Sequence, residues 1–265
     1  AKTFGSLITV PDAVMQSLPL LDALLAKPLT GDLLLRQAQE DAQEALKPLV
    51  EQARLLGDRY DCVVANPPYM GGKGMNADLK AFAGKRYPDA KSDLMTCFMS
   101  RASYLCKVRG VISMINLPSW MFLKSFESLR DHLLVGQLIS SLVHLGRGVF
   151  GSDFGSVCFA IRNRPAFAGE ISIFRKLYEE HVEVRSNQVI ENLFLDISHN
   201  RFEVQQGHFR KVPDYPIAYW LNQKEYDAFA SADAFEVVGH PKVGMQTSNN
   251  DKFLRMWWEI CYDEL

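Results

Sequence analysis

The sequence of 265 residues contains no long hydrophobic run. Proline and charged residues interrupt every apolar segment before it reaches the roughly 18 residues that a membrane-spanning helix requires. The N-terminal stretch has no basic region followed by an unbroken apolar one, because Asp12 and Asp22 fall inside it. No signal peptide is predicted, and we expect a cytoplasmic protein without a membrane partner.

Cysteine is scarce and shows no pattern typical of a disulfide framework. The five cysteines are odd in number and include no C-x-x-C pair, so reduced thiols are expected. Four of them fall in predicted strands or helices and are expected to be buried: Cys62, Cys97, Cys106 and Cys158. The six histidines have no metal-ligand spacing among themselves or with cysteine, and no metal site is predicted.

An excess of charge of one sign is also missing. With 48% hydrophobic residues, 23% charged residues and a formal net charge of −2, the composition is that of an ordinary globular protein. A bulk polycation is excluded, whereas a local basic surface is not. The length corresponds to one large domain, or to one domain and part of another.

Hydrophobic periodicity predicts alternating helices and strands. Apolar residues at three- and four-residue steps predict helices over 31–56, about 92–107 and 125–134. Short, apolar, β-branched runs predict buried strands at 60–65, 110–116, 137–145 and 155–162. Pro48 is expected to kink the first helix or to start a second one. Residues 70–91 are predicted to form a long loop.

This alternation is typical of the α/β class. It predicts a largely parallel sheet covered on both faces. The last two strands are close enough in the chain to pair as a hairpin, which would give an antiparallel edge at the end of the sheet. After residue 165 the pattern loosens, and strand-like residues 171–174 and a proline-rich stretch at 213–216 indicate that a second region begins.

The residues most informative about chemistry are Asn66, Pro67, Pro68 and Tyr69, directly after the strand at 60–65. In an open α/β sheet, ligands bind beyond the carboxyl ends of the strands. The two prolines fix the backbone and remove two N–H donors, which leaves carbonyl acceptors. Asn66 adds an amide acceptor and Tyr69 an aromatic face. Such a set suits a planar group that bears an –NH₂; a tight turn that only ends the strand is the alternative.

This motif resembles that of the S-adenosylmethionine-dependent amino-methyltransferases, and its Asn-Pro-Pro-Tyr form is typical of DNA N6-adenine methyltransferases. More closely, the sequence resembles the large adenine methyltransferases of BREX phage-defence systems, the PglX family. That closer resemblance rests on the motif with its glycine-rich sequel, Phe4-Gly5-Ser6-Leu7-Ile8, Gly146-Arg147-Gly148-Val149-Phe150 and Gly244-Met245-Gln246-Thr247-Ser248-Asn249-Asn250-Asp251.

The resemblance covers only a middle part of the family's longer protein. It implies the C-terminal part of a Rossmann-like class I methyltransferase sheet, followed by the start of a second region. Residues 1–165 would form a partial catalytic domain, and residues 166–265 a connector and the start of a target-recognition region.

The resemblance also implies roles for individual residues. The target adenine would be flipped out of double-stranded DNA. The Asn66 side chain and the Pro67 carbonyl would accept hydrogen bonds from its N6 amino group, so that no general base is needed. Tyr69 would stack on one face of the base. Phe150 is the expected second aromatic wall, with Phe154 as the alternative, although either residue would also fit a core position at the base of the hairpin.

The predicted loop at 70–91 is rich in glycine and in positive charge. Its basic residues include the four expected to contact the DNA backbone: Lys73, Lys80, Lys85 and Arg86. A mobile, solvated loop is the competing interpretation. Double-stranded DNA is therefore the expected partner, and other defence-system proteins are possible partners by resemblance.

No glycine-rich cofactor loop precedes the motif. Gly5, Gly31 and Gly57 are isolated there, whereas a class I methyltransferase holds S-adenosylmethionine with such a loop after its first strand. Family order implies that this loop lies before Ala1, and the chain is predicted to be an inactive fragment on its own. An exposed sheet edge would favour self-association. Two alternatives stay open: a protein-glutamine N-methyltransferase, and a non-catalytic DNA-binding or assembly module.

Overall fold

A computed structural model describes residues 3–151, 154–179, 184–231, 237 and 239. The chain divides into two units, residues 1–229 and 230–265. The strands among the described residues lie in the first unit. They are β1 (Tyr60–Ala65), β2 (Cys106–Asn116), β3 (Leu138–Arg147), β4 (Gly155–Arg162), β5 (Ile171–Lys176) and β6 (Arg201–Gln205).

The six strands form one mixed sheet in the order β1-β2-β4-β3-β5-β6. The pairs β1/β2 and β3/β5 are parallel, and the pairs β2/β4, β3/β4 and β5/β6 are antiparallel. The α/β class and the β3–β4 hairpin are therefore confirmed. The largely parallel sheet is wrong, since only two of the five pairings are parallel.

The sequence predicted that the antiparallel strand of the hairpin lies at the edge of the sheet. Strand β4 does not lie there. It lies between β3 and β2, and its Val157 is opposite both His144 and Asn116. A hairpin fixes which strands are neighbours but leaves open on which side of the sheet's last strand the returning strand inserts. Here β4 is buried at alternate positions, Val157, Phe159 and Ile161, and a central place gives that apolar face neighbours on both sides.

Seven α-helices are described. They are α1 (Asp12–Leu25), α2 (Leu33–Gly57), α3 (Ala77–Arg86), α4 (Leu94–Leu105), α5 (Glu127–Gly136), α6 (Asn187–Leu195) and α7 (Gln223–Ser231). The predicted helices correspond to α2, α4 and α5. Helix α1 was not predicted, because apolar residues occur on all its sides and Pro19 lies inside it.

Helix α2 continues through Pro48 as one element, so a second helix starting there is wrong. The Asp32 side chain caps its first turn by accepting a hydrogen bond from the Leu35 N–H at 2.9 Å. Gly57 ends the helix where α1 passes close by. A Cβ at Gly57 would overlap the side chain of Met15, so a larger residue there would require the methionine side chain to move.

The prediction of a long loop at 70–91 is also wrong, because helix α3 (Ala77–Arg86) occupies its middle. Asn76 caps this helix, its side chain accepting a hydrogen bond from the Leu79 N–H at 2.8 Å. Leu79 and Ala83 are buried, so α3 packs on the core with its apolar face. The low overall hydrophobicity of the segment concealed this narrow stripe.

The core lies mainly on one face of the sheet. There Ile112, Met114 and Phe159 pack with Met95 of α4 and with Trp120, all within one buried cluster. A smaller cluster on the opposite face joins Leu145, Leu177 and Ile190 of α6. The two clusters show that β2, β3 and β4 are covered on both faces.

Three further predictions are affected by the described structure. Strands β5 and β6 extend the same sheet beyond residue 165, so the sheet has no break there, and the division into catalytic and recognition regions stays a prediction. The strand predicted to be buried at 60–65 has no buried residue, and Cys62 in it is exposed, because among the described strands β1 pairs with β2 alone. Within the described ranges, no helix is both long and apolar enough to cross a membrane.

Candidate functional site

The Asn-Pro-Pro-Tyr motif lies at the carboxyl end of β1, where the sequence predicted a ligand site. Parallel pairing places Ala65, the last residue of β1, opposite Met114 of β2. The carboxyl ends of the two strands therefore meet at one edge of the sheet, with Asn66 beyond β1 and Asn116 at the end of β2. This is the edge at which α/β proteins bind ligands.

The four motif residues differ in exposure. Asn66 and Pro68 are exposed, Pro67 is buried and Tyr69 is half-buried. The buried proline anchors the motif to the sheet, and its ring fixes the backbone. The Asn66 amide is consequently accessible to a ligand, while the buried Pro67 holds the adjacent main chain against the sheet.

The Tyr69 hydroxyl connects the motif to β2. Its oxygen lies 3.0 Å from the Ile115 carbonyl oxygen and 3.2 Å from Asn66 Oδ1. Burial raises the pKa of Tyr69, so the hydroxyl keeps its proton at neutral pH. One proton can be donated to only one acceptor at a time, and the hydroxyl can therefore hold Asn66 Oδ1 or release it by bonding to Ile115.

Asp93 holds the chain that leaves the motif. Its Oδ1 accepts hydrogen bonds from the Met70 N–H at 3.1 Å and from the Met95 N–H at 3.0 Å. The Leu94 N–H donates in turn to the Met70 carbonyl at 2.9 Å. The sequence identified Asp93 only as a possible helix cap. Its second bond, across 23 residues, had no local signal.

An aromatic side chain faces Tyr69 from the β3–β4 connection. The rings of Tyr69 and Phe154 lie 5.8 Å apart at an interplanar angle of 89°, and Phe154 is 47% exposed. The backbone of Phe150 forms a 3-10 turn, Val149–Gly151, but its side chain lies outside the described structure. The structure thus brings the alternative residue, Phe154, next to the motif, and the choice of Phe150 stays a prediction.

The four predicted DNA-binding residues are all exposed: Lys73, Lys80, Lys85 and Arg86. Lys73 lies in the turn before α3, and the others lie on α3 itself. Lys80 and Lys85 are five residues apart, so they project about 140° from each other around the helix. They therefore do not form a single stripe on α3.

The end of β2 contains polar groups that the sequence did not single out. Asn116 is fully buried, and in the described structure neither atom of its amide has a hydrogen-bond partner. The buried indole N–H of Trp120, four residues further on, is likewise without a partner. Buried polar groups of this kind are rare, and Asn116 directly follows Ile115, whose carbonyl Tyr69 contacts.

The described residues show no cofactor loop of the expected type. Residues 3–59 form a 3-10 turn, α1 and α2, and no strand occurs among them. In the same way, the described part of the chain contains no group of three metal-ligating side chains close enough to hold an ion. The predicted motif at 244–251 falls outside the described residues.

Comparison with known proteins gives a consistent result. Residues 24–150 match the model of the Eco57I restriction-modification methylase family. The chain is 39% identical over 268 residues to the adenine-specific methyltransferase BrxX of Escherichia coli O9:H4 (strain HS), an alignment that covers 98% of this chain and 21% of BrxX. It is 32% identical over 272 residues to the adenine-specific methyltransferase PglX of Lacticaseibacillus casei (strain Zhang), covering 98% and 22% of the two chains.

The chain thus spans about a fifth of the length of these curated relatives. Among solved structures, the methyltransferase subunit of a type I restriction-modification system from Streptococcus thermophilus is similar at a TM-score of 0.44 and 14% identity, covering 64% of this chain and 45% of that one. Residues 24–150 thus match the Eco57I restriction-modification methylase family, and the chain, as its sequence predicts, is similar over nearly its whole length to the adenine-specific methyltransferases BrxX and PglX.

Proposed function

We propose that this chain supplies the target-base site of a DNA adenine N6-methyltransferase that acts in DNA modification and phage defence. The observation that carries the proposal is the geometry of the motif. Asn66 presents an exposed amide at the carboxyl end of β1, and the buried Pro67 and the Tyr69 hydroxyl hold it in place. The names of the relatives, which are adenine-specific methyltransferases, support adenine over a protein glutamine as the acceptor.

The chain's own chemistry in this proposal is hydrogen bonding to a flipped adenine. Asn66 Oδ1 and the Pro67 carbonyl each accept a hydrogen bond from one N–H group of the N6 amino group. When the Tyr69 hydroxyl donates to Ile115 instead of Asn66, Asn66 Oδ1 becomes free for the base. Drawing the amino group toward these acceptors favours a tetrahedral nitrogen, whose lone pair is then available as a nucleophile without a general base.

Aromatic side chains hold the base in place. The Tyr69 ring stacks on one face, an interaction worth about 1–3 kcal/mol per base. Phe150 or Phe154 covers the other side, and Phe154 already meets the Tyr69 ring edge-on. A base held between such walls loses little further entropy when the reaction occurs, because its orientation is fixed beforehand.

S-adenosylmethionine supplies an electrophilic methyl group when it is bound. The residues before β1 form helices rather than a strand with a glycine-rich loop, so they do not fit the part of the site that grips this cofactor. We therefore propose that the chain on its own does not methylate DNA.

Double-stranded DNA is the proposed partner, and the exposed Lys73, Lys80, Lys85 and Arg86 would contact its phosphates. Assembly with other defence-system proteins is proposed from the resemblance. Self-association of the isolated chain is proposed from β1, which pairs with β2 alone among the described strands and whose Val64 is 72% exposed.

The first test is calorimetric titration of the chain with S-adenosylmethionine, followed by transfer of labelled methyl groups to duplex DNA. The same assay is run on the intact protein that contains the chain. We expect no cofactor binding by the folded chain and N6-methyladenine formation by the intact protein. Micromolar binding by the chain would contradict the proposed division of labour, and an intact protein that leaves adenine unmodified would contradict the function itself.

A further inference from the structure

The loop that carries Phe150 is held by a segment from beyond β5. We propose that Arg185 is a positioning residue of the target-base site, because it fixes the turn between β3 and β4 against the sheet. The inference rests on the proposed function, since it concerns the aromatic wall opposite Tyr69. Nothing in the local sequence around Arg185 indicates such a role.

The backbone of the segment pairs with the end of β3. Val184 forms an isolated parallel bridge with Arg147, and the Arg185 N–H donates to the Arg147 carbonyl at 3.3 Å. The segment therefore runs alongside the end of β3, immediately before the turn Val149–Gly151. It continues directly into α6, whose N-terminus is capped by Ser186.

The Arg185 side chain adds hydrogen bonds near the ends of β3 and β5. Its guanidinium donates to the Leu145 carbonyl at 2.9 Å and also to the Leu177 carbonyl. It lies 5.9 Å from the centre of the Tyr178 ring. One side chain thereby joins the end of β3 to the residue that follows β5, and a guanidinium has enough donors in a rigid plane to do so.

The glycines of the loop explain why the segment can lie so close. Gly146 and Gly148 have φ angles of +77° and +111°, which favour glycine. A Cβ at Gly148 would overlap the backbone of Arg185, and one at Gly146 would meet its guanidinium. The Gly-Arg-Gly spacing is thus required by the contact with Arg185 as well as by the turn.

The turn is also backed by an apolar contact on the same side. Val149 packs against the cluster that contains Leu145, Leu177 and Ile190 of α6. Downstream of the turn, Phe154 reaches the Tyr69 ring. Displacing the Arg185 segment would therefore remove contacts that hold the turn in place. A shift of about 1 Å in a positioned group can lower a reaction rate by a factor of about 100.

The test uses the intact protein with Arg185→Leu, which removes the side-chain donors, and Arg185→Lys, which keeps a single ammonium donor group. Arg164→Leu is the matched control, because Arg164 is bonded to Glu170 in the β4–β5 connection at 2.6 and 2.8 Å, away from the loop. Methyl transfer to duplex DNA gives kcat and KM for each variant. Amide hydrogen exchange reports the protection of residues 146–151.

We expect Arg185→Leu to lower kcat about 10- to 100-fold with little change in KM for DNA, and to speed exchange at 146–151 while distant strands keep theirs. Arg185→Lys should recover part of kcat, and Arg164→Leu should behave as wild type. A folded Arg185→Leu protein with wild-type kcat would overturn the inference alone, as would a variant in which exchange rises throughout the sheet. An inactive wild-type protein would overturn the proposed function together with this inference.

Where Arg185→Leu does not fold, Gly148→Ala tests the same contact from the other side. Its added methyl group would push the Arg185 backbone away without removing any hydrogen-bond donor. The expected result is again a lower kcat at unchanged KM for DNA, and wild-type kinetics would overturn the inference.

Discussion

The two sides of the proposed base site are held in different ways. On the motif side, four consecutive residues follow strand β1, and the hydrogen bonds of Tyr69 to Ile115 and of the next residue, Met70, to Asp93 hold them in place. On the aromatic side, a glycine-containing turn depends on Arg185 and α6, which lie more than 30 residues further along the chain. A motif that follows a strand can be recognised from the sequence, whereas a loop held by a distant segment cannot.

The comparison predicts that chemistry is concentrated on the motif side. Asn66→Ala should lower methyl transfer by the intact protein about 100- to 1000-fold, by analogy with the loss of one transition-state hydrogen bond in other enzymes. Because Asn66 is exposed, stability should hardly change. The measurement is single-turnover methylation of duplex DNA, accompanied by thermal unfolding.

Asn66→Asp is the matched control for that variant, since a carboxylate keeps an acceptor oxygen at the same position. It should retain more activity than Asn66→Ala. Equal rates for Asn66→Ala and wild type would place the chemistry elsewhere and remove the contrast between the two sides.

The second prediction concerns the anchor behind the motif. Asp93→Ala removes a helix cap and leaves the Met70 N–H without its acceptor. The free energy of unfolding should fall by about 2 to 3 kcal/mol, as measured by denaturant titration. Asp93→Asn keeps the side-chain oxygen and should lose much less. A similar loss in both variants would show that the carboxylate's charge, rather than its hydrogen bonds, matters.

The third prediction tests the aromatic side through its buried histidine. His144 on β3 lies within 3.4 Å of the Tyr178 and Tyr219 hydroxyls. Burial, and then the charge of Lys176, lower the pKa of His144 from 6.5 to about 4. The unfolded chain therefore binds the proton more readily than the folded chain does.

The contribution of His144 to stability is accordingly present above pH 6.5 and is lost as the pH falls toward 4. Between pH 7 and pH 5 the free energy of unfolding should decrease by about 2 kcal/mol from this group. His144→Phe should lack this part of the pH dependence, whereas His132→Gln, at an exposed position, should keep it. A pH profile unchanged by His144→Phe would contradict the assignment.

Much of the fold was predictable because its signals are local. The strand at 60–65 and the hairpin between β3 and β4 follow from short apolar runs and from their spacing. The central position of β4 did not, since it depends on which neighbour buries Val157 and Phe159. Helix α3 was hidden because Leu79 and Ala83 alone carry its buried face.

The candidate site shows the same division. Asn66 and Tyr69 were predicted from one tetrapeptide, because those residue types suit the binding of a planar amino group. Asp93, Ile115 and Arg185 act through backbone groups that are distant in the chain, and a backbone carbonyl has no signature in a sequence. Only the folded chain brings the Tyr69 hydroxyl within reach of two acceptors.

The smallest expected effect sharpens the role of that hydroxyl. Tyr69→Phe keeps the stacking ring but removes the donor shared between Asn66 and Ile115. The loss of one such bond, about 0.5 to 1.5 kcal/mol, should lower kcat roughly 2- to 12-fold. The KM for DNA should stay unchanged, because the aromatic wall is intact. Tyr104→Phe, at an exposed position, is the control and should behave as wild type.

A double mutant shows whether the hydroxyl acts through Asn66. In an Asn66→Ala background, Tyr69→Phe should cause no further loss, because the amide that the hydroxyl orients is absent. Additive losses would mean that the hydroxyl acts on the base or on β2 independently of Asn66. In that case the prolines and Asp93 would hold the motif residues in position, and the hydrogen bond between Tyr69 and Asn66 would be incidental to catalysis.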